Sequence, residues 1–113
     1  MNKRQLGQEN EYLALKYLTD KGYKIIKRNY RCKLGEIDLI AKKNNRIIFI
    51  EVKYRSNSRY GNSIEAVNKR KQQVIRQVAR YYLLTNYHSL EIPISFDVIG
   101  IDKDKITHIE NGF

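Results

Sequence analysis

Apolar and polar positions alternate along this chain with two periods. From about Arg4 to Asp20, Ala14, Leu15 and Leu18 recur at helical spacing, and Lys21-Gly22 supplies a cationic last turn followed by a stop. Tyr23 to Asn29 is rich in Tyr and Ile with partial alternation, which predicts a first strand ending in the polar stretch Asn29 to Lys33. Glu36 to Lys43 and Arg46 to Tyr54 are two more β-prone runs separated by Asn44-Asn45. Asn tolerates the positive φ that a two-residue turn demands, so the pair reads as a hairpin. Arg55 to Ser63 carries little apolar residue and reads as a loop beside the hairpin's open end. A long helix follows from about Asn68 to Leu84, with Val67, Val74, Val78 and Tyr81 on one face and Asn68 as N-cap. Ile94 to Ile101 and Lys105 to Ile109 give two last strands. The order αβββαββ, with a crossover helix before the fourth strand, predicts an α/β fold: a mixed sheet with helices on both faces, a three-layer α/β/α arrangement in one domain over 1–113.

The hairpin register carries the first hint of chemistry. With Asn44-Asn45 as the turn, Lys43 faces Arg46 and Asp38 falls directly opposite Glu51. Facing side chains have Cβ atoms about 4.5–5.5 Å apart, so two carboxylates there repel unless a cation or proton lies between them. The same register sets Glu36 opposite Lys53, so Glu36, Asp38, Glu51 and Lys53 share one face. Ile37 and Leu39 are expected on the other, with Ile48, Ile50 and Val52. On the first helix Glu11 falls within the stripe of Ala14, Leu15 and Leu18 and points inward, whereas Glu9 projects outward. On the second, Lys71 sits within the apolar stripe, where it could meet a phosphate; Lys69, Arg76 and Arg80 share the opposite side, where they could steer one.

Charge gives these positions a partner. Twenty-two Lys and Arg against twelve Asp and Glu leave a formal net charge of +10, a field that attracts a polyanion and makes nucleic acid the leading partner. At 113 residues, 42% hydrophobic and 30% charged, the chain suits one globular core and excludes a disordered one. The single Cys32 forms no intrachain disulfide, and no CxxC or Cys/His cluster offers a zinc site, which fits a reducing cytoplasm. The polar start Met1 to Gln8 lacks a signal-peptide segment, and runs such as Ile47 to Ile50 are too short to span a bilayer.

Gly35-Glu36-Ile37-Asp38-Leu39-Ile40-Ala41, followed by Phe49-Ile50-Glu51-Val52-Lys53, resembles the PD-(D/E)XK nuclease signature in the form carried by the YraN-type family of small bacterial proteins. Ile37 stands where the named motif has proline. The similarity extends to Gly7 with Glu11 and Ala14, Lys21-Gly22-Tyr23, Ala66-Val67 before Lys71-Gln72, and Phe96-Asp97-Val98, nearly the whole chain. It implies a restriction-endonuclease-like core close to that of Holliday junction resolvases. Asp38 and Glu51 would be metal ligands for Mg²⁺ or Mn²⁺, and Lys53 would sit at the reacting phosphate. Glu11 would help through a water, with Glu36 and Gln72 in support.

The expected reaction is phosphodiester hydrolysis, on DNA that is branched, flapped or damaged, and homodimerisation would let two strands be cut symmetrically. A second reading is a nucleic-acid-binding adaptor without catalysis, using Lys69, Arg76, Arg80, Arg55 and Arg59 on phosphates; a third is a protein-interaction module. Each residue also has a plainer role open to it. Asp38 and Glu51 could form a solvated hairpin face, Lys53 an ion pair with Glu36, Glu11 a carboxylate swung to solvent, and Lys71 a snorkelling lysine. His88 and His108 read as surface histidines, Cys32 as an ordinary thiol, and Asp97 as a cap or a partner at the sheet edge. Tyr54 and Tyr60 could stack on unpaired bases.

Overall fold

The computed structural model describes residues 3–55, 67–103 and 105–113, with side chains described from Glu9 onward except that of Arg55. Its elements are α1 (Lys3–Asp20), β1 (Lys24–Cys32), β2 (Gly35–Lys43), β3 (Arg46–Arg55), α2 (Lys69–Tyr87), β4 (Ile94–Asp102) and β5 (Lys105–Ile109). The five strands form one sheet in chain order, with β3 and β4 parallel and the other neighbours antiparallel. This is an α/β fold with a mixed sheet, and α2 is the crossover that returns the chain parallel to β3.

Local chemistry accounts for the boundaries. Asn44 and Asn45 both adopt left-handed φ, 52° and 61°, so the β2–β3 turn is the tight one that two asparagines favour, and Lys43 pairs with Arg46. Asn68 caps α2, its side chain accepting the Lys71 N–H at 2.8 Å, and His88 closes the helix in the left-handed region with its N–H on the Leu84 carbonyl. The first strand runs further than the alternation suggested, through Cys32, because Lys33 and Leu34 form a second tight connection that pairs Cys32 with Gly35. Gly35 is required there: its φ is +147°, and a Cβ would lie 2.5 Å from the Val74 side chain of α2.

The core lies in two layers. Ile47, Phe49, Phe96 and Val98 pack with Ile75, Val78, Ala79, Tyr82 and Leu83 of α2, whereas Ile48, Ile50, Val52, Ile99 and Ile101 pack with Ala14 and Leu18 of α1. Alternation along β3 therefore feeds one helix from odd positions and the other from even ones.

Two expectations fail. Ile37 and Leu39 do not share a face: Ile37 joins the α2 layer with Ile40, and Leu39 joins the α1 layer with Ala41. Their partners on β1 are Tyr30 and Arg28, and between those stands Asn29 at φ 51°. The side-chain period of two breaks at Asp38, one step beyond the last β2–β3 pair, Leu39 with Ile50. On α2 the expected face holds at Val67, Val74 and Val78, which pack in this helix's core layer, and fails at Tyr81, which is 46% exposed; Ile75, Ala79, Tyr82 and Leu83 complete the buried stripe. Three valines at helical spacing suggested a narrow seam, but a helix lying on a broad sheet buries a wider face, and that face is centred on Ile75 and Tyr82.

Candidate active site at the parting of two strands

β2 and β3 pair in the expected register from Lys43 with Arg46 up to Leu39 with Ile50, and the pairing stops there. One step beyond, Asp38 turns its side chain into the seam, where Oδ2 accepts the Val52 N–H at 2.7 Å. The carboxylate thus takes the place of a main-chain acceptor and holds the opening strands in position. Glu51 follows Ile50 on β3, 8% exposed, on the α2 side of the sheet by its alternation with Phe49. Its Oε1 lies 3.4 Å from the Lys71 ammonium, delivered by the first turn of α2. Lys53 projects from the same strand face two residues further on.

Burial dominates the electrostatics. Withdrawal from water pushes the Asp38 carboxyl above its ordinary range, a rise that Glu36 and Glu11 reinforce and that the Val52 N–H and Lys71 oppose. Burial likewise raises the Glu51 carboxyl. The Asp38 charge adds to that rise, whereas Lys71 and Lys53 oppose it. Two desolvated carboxylates, one of which hinders the ionisation of the other, favour a cation beside them. Tyr54 alternates to the opposite face of β3, where burial and the Asp38, Glu11 and Glu51 charges push its hydroxyl up to about 12.

The structure brings some expected residues together and reassigns others. Glu11 is drawn inward but is engaged: its Oε1 accepts from Arg28 Nη2 at 2.7 Å and Nε at 3.1 Å, and from Asn29 Nδ2 at 3.4 Å. It stands beside the site as a fixed negative charge rather than as a third member of the pair. Glu36 does not face Lys53; β2 and β3 have already separated, and Glu36 pairs across the other edge with Arg31 at 2.9 Å. Gln72 supports α2 from below, its Nε2 donating to the Val67 carbonyl at 2.7 Å. Lys69 and Arg80 are exposed, but Arg76 lies over the Phe96 ring at 4.7 Å and the Phe113 ring at 5.7 Å, so it is a packing residue as well as a surface cation. Arg55 ends β3, its side chain not described, and Arg59 and Tyr60 lie outside the described residues.

A second polar cluster escaped the sequence. Asp97, 1% exposed, accepts from Ser95 Oγ at 3.1 Å and from the Asn111 N–H at 3.1 Å, and its Oδ2 lies 2.8 Å from His108 Nε2. The other ring nitrogen of His108 is 3.2 Å from the Tyr17 hydroxyl of α1. His108 is therefore a buried tether and not a surface histidine. Asp97 and Ser95, with Tyr23, Lys43, Arg46 and Glu110, line a cavity of about 260 Å³ near the β2–β3 turn. The available signal was an aspartate inside the apolar run of β4; an isolated histidine on a short polar strand gave none.

The donors of Asp38 and Glu51 suit a hard divalent cation. Both are carboxylates, one accepting from the Val52 N–H and the other facing the Lys71 ammonium. Among the described residues no group of three His, Cys, Asp or Glu side chains gathers, so the remaining positions of such an ion would fall to water and phosphate oxygens, as Mg²⁺ prefers.

Residues 10–101, which span all of this site, match the model of a family described as uncharacterised protein family UPF0102. A UPF0102 protein of Lachnoclostridium phytofermentans is 45% identical over 113 residues, covering 100% of this chain and 96% of its own. One from Thermodesulfovibrio yellowstonii is 48% identical over 109 residues, 96% of each chain, and one from Alkaliphilus oremlandii is 48% identical over 118 residues, 100% of each. With the model matched across most of its length and relatives matched end to end, this chain belongs to the UPF0102 family, the YraN-type family that its two motifs resemble.

Proposed function

We propose that this protein is a metal-dependent nuclease of the PD-(D/E)XK type, hydrolysing phosphodiester bonds in structured or branched DNA in the cytoplasm. The observation that carries the reading is the pair Asp38 and Glu51: one half-buried and the other buried, both raised in pKa by desolvation and Glu51 further by the Asp38 charge, and located where two strands part beside Lys53 and Lys71. An ordinary hairpin stabilises itself by pairing opposite charges, whereas this one brings like charges into a desolvated cleft in a protein of net charge +10.

Each side chain then has a task. Asp38 and Glu51 would hold a divalent cation, Mg²⁺ or Mn²⁺. Such an ion supplies Lewis acidity, activating water and neutralising charge on the non-bridging oxygens. Lys53 holds the phosphate and stabilises the same charge from the sheet side. Lys69 and Arg80 draw the backbone in by long-range attraction.

The test is incubation with labelled forks, junctions, linear duplexes, single strands and RNA in Mg²⁺ or Mn²⁺, comparing wild type with Glu51→Ala. Cleavage of branched DNA by wild type, lost in Glu51→Ala, is expected; equal cleavage by both would remove the assigned site. The basic surface also supports the second reading, an adaptor that binds DNA without cutting it. That reading expects oligonucleotide binding at the same affinity with and without divalent cation.

A further inference from the structure

The contact between Glu51 and Lys71 is placed oddly for a purely structural ion pair. The Glu51 side chain is 10% exposed and that of Lys71 48%, so one partner is fixed in the site while the other opens to solvent. The base of Lys71 is held firmly: its N–H is capped by Asn68, the next N–H bonds the Asn68 carbonyl at 3.0 Å, and Gln72 clamps the Val67 carbonyl. A long side chain anchored at its root and half in water can move its charged end several ångströms at little cost. Its present partner is the oxygen of a residue that a cation would also require.

We infer that Lys71 is an exchangeable counterion: its ammonium occupies Glu51 when no cation is bound, is displaced when one binds, and then takes a phosphate of the nucleic acid entering the cleft. This rests on the nuclease reading and adds to it a competition and a second phosphate contact, delivered by α2 rather than by the sheet. Like charges explain the exchange. An ammonium 3.4 Å from Glu51 stands where a divalent ion would be repelled by it, so the two compete for one carboxylate, and the freed ammonium lies beside the path of the phosphodiester.

The inference has two readouts apart from turnover. Calorimetric titration with Mn²⁺ should show Lys71→Met binding the ion at least threefold more tightly than wild type, whereas Arg70→Met, which removes the same charge from an exposed position one residue away, changes affinity by less than twofold. Binding of a short labelled duplex across a salt series should show no effect of Lys71→Met without divalent cation. With Ca²⁺ in place of Mg²⁺, so that binding is read before cutting, the slope of log K against log salt should fall by about 0.9, one phosphate contact. Equal Mn²⁺ affinity in wild type and Lys71→Met overturns the inference, as does an equal slope change with and without Ca²⁺. If wild type binds Mn²⁺ and Asp38→Asn does not, the metal site stands whatever Lys71 does. If neither wild type nor Lys71→Met binds Mn²⁺, the inference and the nuclease reading fall together.

Discussion

Asp38 performs two duties that a neutral side chain could not combine. Through Val52 it substitutes for a missing main-chain acceptor, and through its charge it raises the Glu51 carboxyl beside it. Both carboxyls have native pKa values above their unfolded ones, so the folded protein binds protons more avidly than the unfolded chain across that interval. Their contribution to stability is present in full below the unfolded values and is lost as pH rises through the native ones. The melting temperature of the metal-free protein should therefore decline as pH climbs out of the carboxylate range. Glu51→Gln should flatten that decline and raise the melting temperature at pH 7. A variant melting lower than wild type at pH 7 would show that Glu51 is paired too well by Lys71 to be a source of strain. Asp97 is held by hydrogen bonding, with Ser95, His108 and Asn111 all on its carboxylate. Asp97→Ala removes the shared partner of three groups, Ser95 among them buried, and should cost about 3 kcal/mol in chemical denaturation, a large fraction of a small domain's stability.

At the scale of elements, the approach of the β1–β2 connection to α2 is set by Gly35. Gly35→Ala should destabilise by about 1–3 kcal/mol, because the added methyl meets Val74 and the backbone sits at φ +147°. Val74→Ala in the same chain should recover part of that loss, which comparison of the two denaturation midpoints would show. Asn68→Ala removes the α2 cap at a cost of about 1 kcal/mol and loosens the turn that carries Lys71. The order of elements, the Asn44-Asn45 turn, the Asn68 cap and the hairpin register were legible because each depends on nearby residues and one periodicity. Two things were not. The change of faces between Ile37 and Leu39 falls where β2 loses its pairing with β3, and the Asp97–His108–Tyr17 tether joins residues brought together only by folding. The candidate pair lies between these cases: the register brought Asp38 and Glu51 to adjacent positions, but only the parting of the strands explains how Asp38 enters the seam.

The whole molecule separates holding from attracting. The Asp38 and Glu51 cleft opens where β2 and β3 diverge, whereas the buried Asp97 cluster ties β4, β5 and α1 together near the opposite end of the β2–β3 hairpin. No helix among the described residues is long and apolar enough to cross a membrane, and the exposed cations Lys69 and Arg80 stand on the helix that also carries Lys71. Replacing both Lys69 and Arg80 with Ala should lower affinity for any duplex and reduce the salt slope by about 1.8, with little change in preference among substrates. Unchanged slopes in fluorescence titrations would assign nucleic-acid contact to another surface. The most direct test of the central claim is anomalous diffraction from crystals grown with Mn²⁺. The account expects a manganese peak within coordination distance of one oxygen of Asp38 and one of Glu51, with Lys71 turned away. A saturated crystal with no peak at those carboxylates would contradict it.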